Sequence, residues 1–400
     1  MSEAQTIARL AAKGDGVSAK GQHVSGALPG DLIADAKIIK RGQHHVAPIC
    51  RHFGKCGGCQ LQHADEEILA NFVRDRVVNA ARGQEMAIGK LLPEHLSPPN
   101  RRRRATLHAL RTQRGATIGF REAGSHRIID LAECHVIAPE LADLIEPLRR
   151  FIATHGPKNS IDVQLALTDQ GVDIGLSTFA LEGLAAIEAV LDFARDHSLA
   201  RLTVDQGYGA EKQWEPEPAT ITLSGIPVPM PPGAFLQATR DAEARIVADA
   251  VDWLDDTRLV ADLFSGLGTF AFALREGRKV IAAEADQAAY LACKAAAGKT
   301  GGNVYPLHRD LFRNPVQANE LSRFDAALLD PPRAGAKSQI AEIAASTLSR
   351  VVYVSCNPSS WARDAAHLVA NGFEVKKLRP VGQFRWSTHV ELVSLLERSG

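Results

Sequence analysis

The sequence predicts an α/β protein: a helix-covered parallel sheet at the C-terminal end, a central α+β region before it, and a small β-barrel at the N-terminus. Three observations carry this reading. From about residue 234, strand-like runs (Leu259 to Phe264, Val280 to Glu284, Phe324 to Asp330, Val351 to Ser355) alternate with helical segments, the first being Arg240 to Leu254. Such alternation builds a parallel sheet with helices on both faces. Residues 100–232 mix strands (Ala105 to Leu110, Thr117 to Phe120, Ser160 to Leu167, Val172 to Leu176) with helices (Pro139 to Ala153, Glu182 to His197). Residues 1–45 hold short apolar runs broken by Gly and Pro turns, which suggests the barrel. The expected divisions are therefore 1–45, 46–232 and 233–400. Within 46–232, Ile68, Leu69, Phe72, Val73 and Val77 give helical spacing over 65–83. Pro227, Pro229, Pro231, Pro232 and Gly233 suggest a hinge before the last division.

The bulk numbers set limits. The chain has 400 residues, 45% hydrophobic and 23% charged, which is ordinary for a globular protein. No apolar run reaches membrane-span length, and the N-terminus lacks a basic-then-apolar signal pattern, so a cytoplasmic protein without membrane association is expected, monomeric by default. Net charge is zero, but residues 1–114 carry 18 Lys and Arg against 10 Asp and Glu. Arg101-Arg-Arg-Arg104, with Arg111 and Arg114, is the densest basic patch. A basic lobe beside a catalytic domain suits phosphate contacts, although charge runs are also simply solvated faces.

Cys356 is the most informative residue. It follows the run Val351-Val-Tyr-Val354 in Ser355-Cys-Asn-Pro358, at the carboxyl end of a strand, where open α/β sheets bind ligands. A thiol there is nucleophilic once ionised; a buried packing cysteine is the plainer alternative. Asp262-Leu-Phe-Ser-Gly-Leu-Gly268 is a strand end followed by a glycine turn, with Phe264, Gly266 and Gly268 placed to lie against a cofactor. Glu284 ends the next strand, where a carboxylate can accept ribose hydroxyls. A dinucleotide is a live rival at this turn. The later strand ends carry Asp310, Asp330 and Cys356, which suit methyl transfer better than hydride transfer and favour S-adenosylmethionine. Asp310 could hold an adenine amino group or cap a helix, and Asp330-Pro-Pro-Arg-Ala-Gly335 offers a stiff polar platform.

Six cysteines are present. Cytoplasmic disulfides are not expected. Cys50-x5-Cys56-x2-Cys59 gathers three thiols, with Gly57 and Gly58 allowing a tight wrap and His52 and His63 nearby. Spacing alone favours zinc; an iron–sulfur cluster is the alternative. Cys293 lies in a helical segment and reads as packing.

Taken together, Phe235-Leu-Gln237, Asp262 to Gly268, Asp330 to Gly335, Val354-Ser-Cys-Asn-Pro358 and His389-Val-Glu391 resemble the RNA (uracil-C5)-methyltransferase family, and the order and spacing agree over most of the chain. The cysteine pattern is similar to the iron–sulfur members that act on 23S rRNA. The resemblance implies a Rossmann-like class I methyltransferase domain, a short TRAM-like barrel and S-adenosylmethionine as donor. It further implies Cys356 as nucleophile on uracil C6, Glu391 as the base that removes the C5 proton, and Gln237 at the base or cofactor. Cys50, Cys56, Cys59 and Cys134 would hold a [4Fe-4S] cluster. RNA is the implied partner: 23S rRNA, or the T-loop of tRNA. By residue pattern alone, Glu391 reads as a surface residue of the last strand, Phe235 as core or a stacking platform, and Gln237 as a helix start. The sequence departs from the family at Ser265, Gly382 and Arg385, and residues 1–45 are short for the barrel.

Overall fold

The computed structural model describes residues 4–398. Met1, Ser2 and Glu3 of the N-terminal stretch and the last two residues of the 233–400 division lie outside the described residues. The largest sheet has nine strands. Val304–His308, Lys279–Glu284, Leu259–Leu263, Ala326–Leu329 and Arg350–Ser355 run parallel in that spatial order. Glu391–Arg398 then lies antiparallel beside Arg350–Ser355, and Phe373–Gly382 beside that. The central strands are buried on both faces, which explains their continuous apolar runs.

Two strands come from far upstream. Ile88–Leu91 and His95–Leu96 pair parallel to Phe373–Gly382 at the sheet edge. The helix Glu66–Arg82, capped by Asp65 accepting from the Ile68 N–H, buries Ile68, Leu69, Phe72, Val73 and Val77 in one core with this sheet. Residues 66–96, expected with the central region, thus pack on the catalytic sheet. The reason is the open edge of Phe373–Gly382, whose backbone groups need partners.

The central region is a six-stranded sheet, antiparallel except where Val172–Ser177 runs beside Arg201–Asp205. The helices Ile145–His155 and Leu184–Asp196 share its core. The proline-rich 227–233 stretch is not a loose hinge. Ile226–Pro229 pairs with Thr220–Leu223, and Val228 and Met230 are buried among helices of the catalytic sheet. The barrel expectation is met in part. Gln5–Leu10, Gly16–Ser18, His23–Val24, Leu32–Ala34 and Lys37–Lys40 form an antiparallel sheet whose outer strands, His23–Val24 and Lys37–Lys40, do not pair with each other. Its own core holds Ile7, Val24, Ala27 and Ile33, with Ile38 packed against them, and Leu28 docks in the catalytic core. Among the described residues no helix is long and apolar enough to cross a membrane.

Candidate active site

Every parallel strand of the large sheet ends on the same edge, and because Glu391–Arg398 runs the opposite way, its first residue lies there too. That topology gathers Asp262, Glu284, Asp330, Cys356 and Glu391 from distant parts of the chain. Glu391 is not a surface residue: it is 4% exposed.

The centre of the edge is a chain of amides and acids. Gln237 Nε2 donates to Asp330 Oδ2 at 3.0 Å, and Gln383 Nε2 donates to Gln237 Oε1 at 2.9 Å. Gln383 Oε1 accepts from the Ala238 N–H at 2.7 Å, and its amide also reaches Glu391. Gln237 therefore lies among the acids of the strand edge rather than at a helix start; the helix Arg240–Trp253 is capped by Thr239. Burial, with the charge of Asp330, pushes Glu391 up to about 8, and the Gln383 hydrogen bond restrains it. Asp330 keeps a sliver of solvent contact, yet burial of its carboxyl lifts it to about 7 against the Gln237 hydrogen bond. Cys356 is pushed up to about 11 by burial, then by the charges of Glu391 and Asp330, with Arg333 working the other way. The thiol and both acids thus feel one another directly. Asn357 Nδ2 donates to the Arg333 carbonyl at 3.0 Å, tying the cysteine turn to the Asp330-Pro-Pro-Arg333 loop.

Beside this lies the glycine turn. Gly268 has φ +93°, and a Cβ there would stand 2.7 Å from Phe272 and 2.9 Å from the Cys293 sulfur. Cys293 is packing beneath the turn, as its sequence suggests. A Cβ on Gly266 would meet nothing within 4 Å, so this glycine leaves an open surface. Glu284 grips the turn: its carboxylate accepts from the N–H groups of Gly266 (2.8 Å), Ala285 and Asp286 (both 2.7 Å). Phe264, at φ +63°, holds its ring 5.4 Å from that of exposed Phe312. Asp310 Oδ1 caps the following turn, accepting from Phe312 and Arg313 N–H groups, so the capping alternative is realised for that oxygen. Sequence reasoning passed over Asp262 itself. It is 0% exposed, neither oxygen meets a hydrogen bond of good geometry, and burial lifts it to about 8, with Asp330 adding to the rise and the nearby Ala271 N–H restraining it. The signal was its place at the strand end before the glycines. Gln383 carried no sequence signal at all.

At the mouth, Phe235 is 60% exposed, not core, and the Arg104 guanidinium lies 4.5 Å over its ring. The Arg101 to Arg104 run is no uniform solvated face. Arg103 is buried, donating to the Gln237 carbonyl at 2.9 Å and pairing with Glu243. Arg104 donates to the Leu236 carbonyl and is lowered to about 10, by burial first and then by Arg102, while Glu391 favours its charge.

The cysteine knot adjoins the loop that leads to Glu391, with the Gln60 and Leu61 N–H groups donating to the Trp386 carbonyl. Its loop is wound by Phe53 N–H to the Cys50 carbonyl and Cys56 N–H to the His52 carbonyl. His52 Nε2 accepts from the Ala132 N–H and Glu133 from the Arg51 N–H, which draws Cys134 to the loop. All four thiols are free. Burial pushes Cys59 up to about 12, and the charges of Cys134, Cys56 and Cys50 add to the rise. Among the described residues no group of three or more His, Cys, Asp or Glu side chains is arranged to hold a single metal ion.

A glycine turn, strand-end acids and a strand-end cysteine on one sheet edge fit one class of proteins: methyltransferases of the doubly wound type. Comparison with known proteins agrees. Residues 308–399 match the tRNA (Uracil-5-)-methyltransferase family. An uncharacterized RNA methyltransferase of Zymomonas mobilis is 46% identical over 98% of this chain and 99% of its own length. A 23S rRNA (uracil(1939)-C(5))-methyltransferase of Vibrio campbellii is 30% identical over 99% of this chain and 96% of its own. The structure of Pyrococcus abyssi tRNA (uracil-54, C5)-methyltransferase, solved with S-adenosyl-L-homocysteine, superposes with a TM-score of 0.76 at 21% identity, covering 98% of this chain and all of that one. The chain belongs to the RNA (uracil-C5)-methyltransferase family.

Proposed function

We propose that this enzyme methylates C5 of a uridine in 23S rRNA, with S-adenosylmethionine as donor and Cys356 as a covalent nucleophile. The observation that carries the reading is the convergence of Cys356, Glu391 and Asp330, mutually coupled, beside an open glycine turn. The printed activity of the Vibrio campbellii relative favours rRNA over tRNA.

The residues suit the donor. The open face of Gly266, the Phe264–Phe312 ring pair and the unpartnered oxygens of Asp262 offer backbone, stacking and acceptor surfaces, with Glu284 and Asp310 flanking them. When bound, the donor supplies an electrophilic methyl group and a positive charge. C5 of uracil is a poor nucleophile. Attack of the Cys356 thiolate on C6 moves the C5–C6 π pair toward the C4 carbonyl as an enolate. C5 then takes the methyl carbon, whose old bonding pair stays with the donor sulfur. The Glu391 carboxylate removes the remaining C5 proton, the freed pair re-forms the C5–C6 double bond, and Cys356 leaves as thiolate. Gln237 and Gln383 hold Asp330 and Glu391 in register, and the Arg104–Phe235 plate offers a stacking face for a splayed base.

RNA carrying 5-fluorouridine tests the mechanism, because a fluorine at C5 cannot be removed as a proton. The wild type should trap a covalent adduct and Cys356→Ala should trap none; a wild type that also traps none overturns the covalent route. Mass mapping of 5-methyluridine in rRNA and tRNA from a strain lacking the gene identifies the substrate, and loss from tRNA alone would move the assignment to the T-loop. We further assign Cys50, Cys56, Cys59 and Cys134 to a structural [4Fe-4S] cluster. Burial raises Cys50, Cys56 and Cys59, and with Cys134 beside them they are a donor set that a cationic cluster would stabilise as thiolates. Iron and acid-labile sulfide should be stoichiometric; a colourless protein with one zinc would overturn this assignment.

A further inference from the structure

We infer that Gln60 is a positioning residue: it ties the cysteine loop to the bend at Trp386 and so sets Gln383 and Glu391 for removal of the C5 proton. This rests on Glu391 being the base and adds the residue that seats the loop carrying it.

The strands Phe373–Gly382 and Glu391–Arg398 pair to their ends, with Val381 opposite Glu391. The connection between them opens with Gln383 and runs into Glu391, so both partners of the Gln383–Glu391 hydrogen bond depend on its shape. It is bent at Trp386, whose φ is +59°. A bulky residue in the left-handed region needs its surroundings to hold it there. Trp386 is buried in one core with Leu61, Phe72 and Val390. Its carbonyl accepts from two successive N–H groups, Gln60 at 2.8 Å and Leu61 at 2.9 Å.

The Gln60 side chain adds a tie on each side. Oε1 accepts from the Thr388 N–H at 3.3 Å, beyond the bend. Nε2 donates to the Gly57 carbonyl at 2.7 Å, between Cys56 and Cys59. One amide thus bridges the cysteine loop and the loop that leads to Glu391. Both ends are tightly packed. The Gly57 N–H donates to the Arg121 carbonyl at 2.9 Å, and a Cβ on Gly57 would stand 2.9 Å from that oxygen. At the other end, a Cβ on Gly14 would stand 3.3 Å from the Thr388 methyl and 3.5 Å from Gln60. The tie bears on one step of the reaction. Attack on C6 and methyl transfer use Cys356 and the donor, which other strand ends hold. Proton removal alone needs the Glu391 carboxylate within reach of C5, and a base displaced by a fraction of an ångström loses much of its effect.

The test uses Gln60→Met, which keeps the length of the side chain and gives up both of its hydrogen bonds. It should trap the covalent adduct with 5-fluorouridine RNA as fast as wild type, with unchanged metal content. On ordinary RNA its methylated adduct should be released about tenfold more slowly. Deuterium at C5 should slow that release further, because proton removal then limits it. Gln60→Glu keeps the acceptor for Thr388 and should recover part of the rate. Adduct formation and release slowed alike, or wild-type release, would overturn the assignment. Amide exchange reads the tie without RNA: the Thr388 N–H should exchange faster in Gln60→Met, and an unchanged rate would also overturn it. A wild type that traps no adduct removes the covalent reading and with it the step named here, while faster exchange in the variant would still uphold the tie between the two loops.

Discussion

The protein buries charge in two places and treats it in opposite ways. In the central sheet, Arg201 is 2% exposed and fully answered: Nε and Nη2 donate to the two oxygens of Asp173 at 2.9 and 2.7 Å, and Nη1 pairs with Glu215 and the Met230 carbonyl. Burial alone would lower Arg201, but Asp173 and Glu215 hold it above its ordinary value. At the catalytic edge, Asp262, Asp330 and Glu391 stand together with no bidentate cation; Arg104 only partly offsets the rise of Glu391, and all three are raised. Where charge only holds structure it is neutralised; where protons and a cationic donor must come and go it is left short of partners.

The comparison can be broken at either end. The largest effect is expected at Glu391. Glu391→Gln should lower turnover by about 10³-fold, and its covalent adduct with ordinary RNA should persist on a denaturing gel, because the C5 proton has no acceptor. Rapid release with normal turnover would remove Glu391 from the role of base. Next comes the structural pair. Asp173→Asn should cost about 3–5 kcal/mol in urea unfolding, since it strips the bidentate partner from a buried cation, while turnover per folded molecule stays close to wild type. A loss under 1 kcal/mol would place Arg201 and Asp173 among weak ion pairs.

Asp262 inverts the usual mutational sign. Its folded pKa lies above its unfolded value, so the native state holds the proton more tightly, and stability falls as pH rises from about 4 to about 8. Asp262→Asn should remove that fall, leaving a variant more stable than wild type near pH 8 by on the order of a few kcal/mol, but weaker in donor binding. Parallel pH profiles of the two proteins would refute the buried-acid account. The smallest effect sharpens the comparison. Gln383→Ala deletes the hydrogen bond that restrains Glu391, so the alkaline rise of kcat/KM, expected near pH 8, should move upward. A downward shift would mean that Gln383 favours the protonated acid.

How much of this was legible beforehand depends on the range of the interaction. The strand–helix rhythm after residue 234 and the strand-end positions of Cys356, Asp330 and the glycines are local patterns, and the structure contains them where expected. Glu391 looked like surface because its burial is created by two neighbouring strands and by Gln237 and Gln383, none of which is near in sequence except Gln383. Asp262 was visible as part of a motif but not as an acid without partners, since orphaned oxygens are a property of packing. The N-terminal strands were found, but not their order, because pairing depends on which edges meet. The Arg101 to Arg104 run shows the same limit: Arg103 turns inward to the Gln237 carbonyl and Glu243, partners far off in sequence, and its neighbours stay more exposed.

The upstream strands Ile88–Leu91 and His95–Leu96 carry one more consequence. A fragment starting at residue 233 would contain every proposed catalytic and donor-contacting residue, yet Phe373–Gly382 would present a ten-residue ribbon with its amides bare. Such an edge recruits copies of itself. The isolated catalytic half should precipitate rather than work, and adding back the 61–98 segment as a separate peptide should rescue its solubility.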